Sequence, residues 1–261
     1  MKLQSLRTYA KRRLWAALWK NAPLHWRLPS SIEIVVASEA DWVLYCSIFA
    51  DGEYDFPIRR ALDRVSERDR LTVLDLGANV GFFALRLLDV TTREGGPDAP
   101  VAAILVEGSG ANVAELHRRL GLERRVRIAH GLVGARKGNA MIFEHSFHAI
   151  NSVRNPILAR TGIGTKVAYI DLAALTADIS RIHLIKCDIE GSELEFLEAY
   201  PDLLARTDAI VLELHPDICN TARCRTLLSE AGLTRTRVIR DAADQSVEYF
   251  ERGVGVGEGL S

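Results

Sequence analysis

Four acidic residues stand at or next to the ends of short apolar runs, where their side chains can act together. These residues are Asp75, Glu107, Asp188 and Glu213. If the runs are parallel strands, their carboxyl ends lie at one edge of a sheet, which is where open α/β sheets bind ligands. Carboxylates at that edge can accept ligand hydroxyls or take up a proton. The pattern predicts a ligand site with acid–base capacity.

The stretch LTVLDLGANVGFFAL, residues 71–85, predicts how one of these acids is positioned. Its apolar, β-branched beginning is typical of a buried parallel strand, and an amphipathic helix is predicted from Phe82. Gly77 and Gly81 lie between them and allow the backbone to approach a ligand closely. The amide groups at the start of the helix would point at that ligand. A nucleotide-type ligand is therefore predicted over this turn.

The residues of the turn separate two classes of nucleotide ligand. The spacing Gly77-x-Asn79-x-Gly81 lacks the third glycine of the G-x-G-x-x-G dinucleotide fingerprint. Asp75 directly precedes the turn, and its carboxylate favours a ligand that carries an amino group or a positive charge. S-adenosylmethionine has both and is the predicted cofactor. A tight turn without a ligand, or NAD bound by a nicotinamide-dependent oxidoreductase, are the alternatives.

The composition is that of a soluble globular chain with one large domain. Of its 261 residues, 48% are hydrophobic and 26% are charged, and the net charge of -1 gives no support for a nucleic-acid partner. The four cysteines contain no CxxC pair, so neither a zinc knuckle nor a disulfide framework is indicated. Free thiols favour a cytoplasmic location. No apolar run approaches about 18 residues, the length needed to span a membrane.

The first 30 residues contain seven basic side chains and no acidic one. Leucines, alanines and tryptophans recur there at helical spacing, which predicts a basic amphipathic helix. The favoured interpretation is that this helix packs on its own domain or on a second subunit, so a homo-oligomer is compatible with the sequence. Contact of residues 1–20 with an anionic membrane surface is the alternative.

Strands and helices alternate along the rest of the chain. Strands are predicted at 31–37, 71–76, 101–106, 125–130, 141–144, 166–170, 182–187, 209–213, 234–240 and 246–252, and helices at 41–49, 58–65, 82–88, 111–120, 171–179, 192–200 and 221–230, with a loop at 91–100. This order predicts a doubly wound, mainly parallel Rossmann-like α/β sheet. One terminal strand should run antiparallel, because no helix separates the last two. The predicted organisation is an extension at 1–30, a domain at 31–252 and a flexible tail at 253–261.

Three segments resemble the FkbM-type family of S-adenosylmethionine-dependent methyltransferases: DLGANVGFFAL at 75–85, LVEGSGANVAEL at 105–116 and LIKCDIEGSELEFL at 184–197. The third is the most diagnostic, being similar to the family pattern K-x-D-x-E-G-x-E, and VLELH at 211–215 is similar too. The resemblance covers about residues 45–215. It implies a class I methyltransferase fold and an oxygen acceptor, commonly a hydroxyl of a sugar or natural product. Gly108 stands where the family usually has proline.

The predicted cofactor site combines the turn with the ends of neighbouring strands. Glu107 can accept both ribose hydroxyls, although a charge at a helix N-terminus is its alternative role. Gly131 and Leu132 follow the third strand, where an adenine ring would lie. Tyr54 can close over the methionine end or simply be a half-buried aromatic. The full predicted set is Tyr54, Asp75, Gly77, Ala78, Asn79, Gly81, Phe82, Glu107, Gly108, Gly131, Leu132, Ser152 and Asp188.

The predicted chemistry is in-line methyl transfer to a small-molecule or glycan acceptor. A general base that removes the hydroxyl proton would contribute ~10²–10⁴-fold. Asp188 is the first candidate, followed by Glu190 and His215, with His148 as a further option in the polar loop 145–161. Lys186 precedes Asp188 by two residues and can lower its pKa.

Other roles are open for the same group of residues. A divalent ion such as Mg²⁺ could activate the hydroxyl, with Asp188, Glu213 and His215 as its ligands. Stabilisation of a helix N-terminus is the alternative for Glu190 and the favoured role for Glu193 and Glu195, and Ser192 with Glu195 forms a capping-box pattern. A non-catalytic scaffold that recruits partners through its basic helix is the remaining alternative.

Overall fold

The computed structural model describes residue 19 and residues 21–66, 69–144, 163–242 and 244–253. Most of the predicted basic helix, His148, Ser152 and nearly all of the predicted tail lie outside these ranges. In the part of the chain that is described, no helix is both long enough and apolar enough to cross a bilayer.

Eleven strands and eight α-helices make up the described fold. The strands are β1 (Leu24–Arg27), β2 (Glu33–Val36), β3 (Leu71–Leu76), β4 (Val101–Glu107), β5 (Val126–His130), β6 (Asn139–Glu144), β7 (Ile163–Ala168), β8 (Leu184–Cys187), β9 (Ala209–Leu214), β10 (Leu233–Asp241) and β11 (Ser246–Arg252). The helices are α1 (Glu39–Tyr45), α2 (Asp55–Leu62), α3 (Phe82–Gly95), α4 (Gly110–Leu120), α5 (Leu172–Leu175), α6 (Glu193–Ala199), α7 (Pro201–Ala205) and α8 (Thr221–Glu230). A π-helix, Cys46–Ala50, continues α1.

A seven-stranded sheet in the order β10-β11-β9-β8-β3-β4-β5 organises the fold. The five strands from β9 to β5 are mutually parallel, whereas β11 runs antiparallel to both β9 and β10. The predicted mainly parallel sheet with an antiparallel terminal strand is confirmed. The chain builds outwards from β3 in both directions, so the strand order reverses between β3 and β8. A crevice opens beyond the carboxyl ends of these two strands.

The central strands are apolar on both faces because helices cover both. In β3, Val73 belongs to one core and Leu74 to the other, as the alternation of side chains along a strand requires. Helices α2, α3 and α4 pack on the Val73 face, and α5 to α8 pack on the Leu74 face. The two cores hold the strand ends rigidly, so the side chains that follow them have fixed positions.

Several helices differ from their predicted lengths. The predicted loop at 91–100 is wrong at its beginning, because α3 continues to Gly95. Thr91 is accommodated in this helix by the hydrogen bond that its hydroxyl donates to the carbonyl of Leu87 at 2.8 Å. The predicted helix at 171–179 ends at Leu175. The predicted helix at 41–49 is divided between α1 and the π-helix.

A short hairpin precedes the main sheet. Strand β1 was not predicted, and it pairs antiparallel with β2 in a separate two-stranded sheet. The hairpin includes residues on both sides of the boundary predicted at residue 30. A second hairpin, β6–β7, pairs Asn139 with Ala168 and flanks the crevice near the end of β5.

Candidate functional site

The turn after β3 approaches the end of β8 so closely that only glycine fits at one position. Gly77 has a φ of 75°, and a Cβ atom there would lie 1.8 Å from the carbonyl oxygen of Asp188. Its amide donates to the carbonyl of Val106 at 3.0 Å. Gly77 therefore joins the ends of three strands, β8, β3 and β4, at the crevice.

Gly81 serves packing. A Cβ atom there would lie 2.9 Å from Leu116 and 3.0 Å from Leu120, both on α4. The absence of a side chain lets α3 begin against that helix. Gly81 lines neither of the cavities described below, although it was predicted to contact the cofactor.

Glu107, the last residue of β4, connects that strand to the turn. Its carboxylate accepts hydrogen bonds from the backbone amides of Asn79 and Ser109, each at 2.8 Å, and from the Asn112 side chain at 3.4 Å. Burial raises the pKa of Glu107, while these donors oppose the rise. Two carboxylate oxygens with four lone-pair positions can accept these bonds and still accept from a ligand.

The first cavity, here called the inner cleft, runs along the ends of β3, β4 and β5. It is lined by Gly77, Asn79, Val106, Glu107, Gly108, Asn112, Gly131, Leu132, Val133, Ile142, Asp188, Ile189, Glu190 and Ser192. Seven of the predicted cofactor residues are in this set. Leu132, Val133 and Ile142 form an apolar wall. A Cβ atom on Gly108 would lie 2.7 Å from Leu132, so a larger residue there would require the Leu132 side chain to shift.

The second cavity, here called the acid-rich pocket, lies on the other side of the turn. Its lining residues include Ser47, Glu53, Tyr54, Ala78, Asn79, Phe82, Lys186, Asp188, Glu190, Glu213, His215, Ile218, Arg240 and Gln245. Ala78, Phe82 and Tyr54 were predicted to bind the cofactor, and the structure places them here rather than in the inner cleft. Tyr54 is buried and meets the ring of Phe83 edge-on, 5.2 Å between centroids.

The two cavities meet at Asn79, Asp188 and Glu190, which line both. Asp188 directly follows β8, and its side chain is 28% exposed. It is therefore open to the crevice at the point where a ligand in one cavity would touch a ligand in the other.

Lys186 contacts both the turn after β3 and Asp188 at this junction. Its Nζ atom donates a hydrogen bond to the carbonyl of Gly77 at 2.7 Å and lies 3.5 Å from both Asp75 Oδ1 and Asp188 Oδ2. Burial alone would lower the pKa of Lys186, but the carboxylates of Asp188 and Asp75 outweigh it and raise the pKa. Lys186 is therefore a fixed positive charge next to Asp188.

Asp75 lies behind the turn rather than on a cavity wall. It is completely buried, lines neither cavity, and neither carboxylate oxygen has a hydrogen-bond partner among the described residues. Burial raises the pKa of Asp75 to about 6, although the Lys186 ammonium opposes this change. Asp75 acts on the turn through Lys186. Its position behind the turn does not agree with the prediction that it contacts a ligand amino group directly.

A chain of charged side chains follows the wall of the acid-rich pocket. Arg240 lies 3.0 Å from Glu53 Oε2 and donates to Glu213 Oε1 at 2.9 Å. His215 Nε2 lies 3.7 Å from Glu213 Oε1 and 3.9 Å from Glu190 Oε2. Burial, with Asp188 nearby, raises the pKa of Glu190 to about 9 and that of Glu213 to about 8.

Glu193 shapes the segment that carries Glu190. Its carboxylate accepts from the backbone amides of Ile189 at 3.3 Å and Gly191 at 3.1 Å. The predicted side-chain cap from Ser192 is absent in this described segment, and Glu193 takes its place. Glu190 has a φ of 53°, a strained value for a non-glycine residue that Glu193 helps to maintain. Burial raises the pKa of Glu193 to about 7.

Glu53 and Arg240 were missed by the sequence interpretation. They are 187 positions apart, on the loop before α2 and on β10, and no local pattern links them. The position of Glu53 beside Tyr54, which was predicted, was the only available signal.

The structure does not support the predicted metal site formed by Asp188, Glu213 and His215. Among the residues that the structure describes, no group of three or more His, Cys, Asp or Glu side chains is arranged to hold a metal ion. Glu213 already accepts from Arg240, and the Asp188 carboxylate lies beside the Lys186 ammonium. Two of the three predicted ligands therefore already face protein cations.

Comparisons with known proteins give one family match. Residues 75–233, more than half of the chain, match the family model of the methyltransferase FkbM domain. A search of curated proteins found no match. Two solved structures are among those to which this chain is similar. The N-terminal domain of EvdMO1 with SAH bound has 15% identity and a TM-score of 0.48, over 95% of this chain and 97% of that chain. Aeropyrum pernix fibrillarin, in complex with natively bound S-adenosyl-L-methionine, has 12% identity and a TM-score of 0.47, over 88% and 83%.

Proposed function

This chain belongs to the FkbM methyltransferase family, and we propose that it transfers a methyl group from S-adenosylmethionine to a hydroxyl oxygen of a sugar or natural product. The observation that carries this proposal is the meeting of two different cavities at Asp188. One cavity has an apolar wall and a carboxylate, Glu107, that can accept a hydrogen bond from a ribose hydroxyl. The other contains Asp188, the proposed base, together with side chains that can hydrogen-bond to hydroxyls.

The inner cleft fits the adenosine part of the cofactor. Glu107 has one lone-pair position left to accept a ribose hydroxyl, and the wall of Leu132, Val133 and Ile142 suits a purine ring. The close approach at Gly77 brings the turn against the end of β8, so a ligand there can reach the acid-rich pocket. When bound, the cofactor supplies an electrophilic methyl group on a positively charged sulfur.

Asp188 is the proposed general base. It lies at the junction, where its Oδ2 atom is 3.5 Å from the Lys186 ammonium group. With the cofactor bound, the acceptor oxygen would bond to the methyl carbon as the carbon–sulfur bond breaks and S-adenosylhomocysteine leaves, and the Asp188 carboxylate would take up the hydroxyl proton. Positioning of the acceptor supplies the rest of the rate enhancement, because the displacement needs an in-line approach.

The acid-rich pocket offers both donors and acceptors to a polyhydroxylated acceptor. With pKa values of about 9 and about 8, Glu190 and Glu213 hold protons at neutral pH and can donate hydrogen bonds. His215 Nδ1 is buried without a hydrogen-bond partner among the described residues. Hydroxyl groups, which both donate and accept, match this mixture better than a purely anionic or cationic acceptor would.

A methylation screen tests this function. The protein is incubated with methyl-labelled S-adenosylmethionine and a panel of glycosides and macrolides, together with the Asp188→Asn and Asp202→Asn variants. We expect label on an acceptor oxygen, a loss of about 10²-fold in kcat for Asp188→Asn, and unchanged turnover for the control Asp202→Asn on the distant helix α7. Near-wild-type turnover by Asp188→Asn would remove Asp188 as the base, and label found only on nitrogen or sulfur would overturn the hydroxyl acceptor.

A further inference from the structure

A groove lies outside the acid-rich pocket, between the α1–π-helix segment and β10. This outer groove is lined by Trp42, Val43, Phe56, Arg237 and Val238, among others. It shares Val43, Ser47, Glu53 and Arg240 with the acid-rich pocket. The two spaces are therefore continuous, and the Glu53–Arg240 ion pair stands at their boundary.

Apolar surface is concentrated in this groove. Six large hydrophobic side chains are exposed in the described part of the chain, and three of them line it: Trp42, Val43 and Val238, which are 42%, 48% and 44% exposed. Exposed apolar side chains scattered singly need no explanation, but a group with a polar rim beside a cavity marks a binding site.

The fold holds the tryptophan of this groove in place. The Trp42 ring stacks on Tyr45 with centroids 5.8 Å apart, and Tyr45 stacks in turn on Phe49 at 5.5 Å. The π-helix Cys46–Ala50 follows directly, and such helical irregularities are frequent at functional sites. The Trp42 ring also stacks on Trp19, with centroids 6.4 Å apart, so it is held in place by its aromatic neighbours and is not a loose side chain.

Strand β10 contributes the opposite wall through an irregularity in its pairing. Arg237 pairs with Tyr249 and Arg240 pairs with Val247, with a register shift between Val238 and Arg240. In a regular strand, residues three apart point to opposite faces, but the shift places both arginines on the same face. Arg237 lies over the Phe56 ring at 4.3 Å, and Arg240 reaches Glu53.

We propose that the outer groove binds an apolar extension of the methyl acceptor. The acceptor is then amphipathic, with a hydroxylated head in the acid-rich pocket and an aliphatic or aromatic part over Trp42 and Val43. This inference rests on the proposed function, because it takes the acid-rich pocket as the place of the hydroxyl. A small molecule suits the groove better than a second copy of the chain, since three exposed side chains fall well short of the ~800 Å² that each partner buries in a stable interface.

Two glycosides with the same sugar test the inference. Calorimetry with the full chain, saturated with S-adenosylhomocysteine, compares methyl β-D-glucoside with n-octyl β-D-glucoside below its micelle concentration. The variants are Trp42→Ala, Val43→Ser and, as control, Leu122→Ser, which removes an exposed hydrophobic side chain that does not line the groove. Val43 is 48% exposed on α1, so its variant keeps the fold if Trp42→Ala does not.

The octyl glycoside should bind about tenfold or more tightly than the methyl glycoside, the gain that burial of about two methylene groups provides. Val43→Ser should reduce this gain at least threefold, whereas Leu122→Ser should keep it. Equal affinities, a gain that Val43→Ser leaves intact, or a dimer that Trp42→Ala dissociates would each overturn the inference. Failure to bind S-adenosylhomocysteine would instead contradict the proposed function. The comparison of the two glycosides would still show whether the outer groove binds an apolar extension.

Discussion

Lys186 and Gly77 are joined by a 2.7 Å hydrogen bond from the lysine Nζ atom to the glycine carbonyl oxygen. This bond connects the end of β8 to the turn after β3, the two strands between which the sheet reverses its order. The same ammonium group lies between the carboxylates of Asp75 and Asp188. The turn and the proposed base are therefore held by one buried cation.

Replacement of Lys186 should destabilise the fold through the carboxylate left behind. We expect Lys186→Met to lower the free energy of unfolding by about 3 kcal/mol, because Asp75 would stay buried without a cation. The double variant Asp75→Asn/Lys186→Met should recover part of this loss. Urea unfolding measures both, and equal stability of the single and double variants would show that Asp75 is not the cause.

Gly77 should tolerate substitution much less than another glycine with the same kind of backbone. Gly96 has a φ of 84°, and nothing lies within 4 Å of a Cβ atom built there, whereas a Cβ on Gly77 would meet the Asp188 carbonyl at 1.8 Å. Gly96→Ala should cost about 1–2 kcal/mol from the left-handed backbone alone. Gly77→Ala should cost at least about 2 kcal/mol more in thermal or urea unfolding. Equal losses would mean that the turn can move away from β8.

The ligand-free protein should become less stable as the pH rises from about 4.5 to about 8. Glu213 and Glu190 have pKa values of about 8 and about 9 in the folded state, above the ordinary value of 4.5. Within this window the folded state keeps protons that the unfolded state releases, so the free energy of unfolding falls by up to about 1.4 kcal/mol per pH unit for each such group. Urea unfolding at several pH values measures the slope.

Glu213→Gln should make this slope shallower, because it removes one of the groups. Glu198→Gln, at an exposed position on α6, should leave the slope as it is. A slope that both variants share with the wild type would mean that Glu213 is ionised in the folded protein throughout this range.

Removal of metal ions should leave methyl transfer unaffected. Arg240 and Lys186 already lie beside the Glu213 and Asp188 carboxylates, so the acceptor has charged protein groups available for its activation. After exhaustive treatment with EDTA, the turnover should stay within about twofold of the untreated enzyme. If EDTA abolished the activity and Mg²⁺ restored it, Asp188, Glu213 and His215 would have to rearrange to hold a metal ion.

The sequence was sufficient for the parts of the site that depend on local pattern. The apolar run of β3, the glycines after it and the acids at the strand ends follow from periodicity and backbone freedom, and the sheet brings Glu107, Asp188 and Glu213 to one crevice. The catalytic candidates Glu190 and His215 also lie in the acid-rich pocket. Strand ends converge in any doubly wound sheet, so this grouping needed no knowledge of side-chain contacts.

The parts that could not be predicted depend on tertiary contacts. The pair between Arg240 and Glu53 joins distant segments, and Arg240 faces Glu53 only because of the shifted pairing of β10. Asp75 ends behind the turn because β3 is covered on both faces, which a strand-end rule does not reveal. The π-helix likewise has no sequence pattern of its own.

Binding of S-adenosylhomocysteine in competition with NAD tests the central claim most directly. Calorimetric titration of the wild type and Glu107→Gln with each compound separates a methyltransferase from a nicotinamide enzyme at the inner cleft. The account predicts that S-adenosylhomocysteine binds, that NAD binds at least about 100-fold more weakly, and that Glu107→Gln weakens the former about tenfold, because an amide nitrogen replaces an oxygen that accepts a backbone N–H. Tighter binding of NAD, or S-adenosylhomocysteine binding that is absent or indifferent to Glu107→Gln, would contradict it.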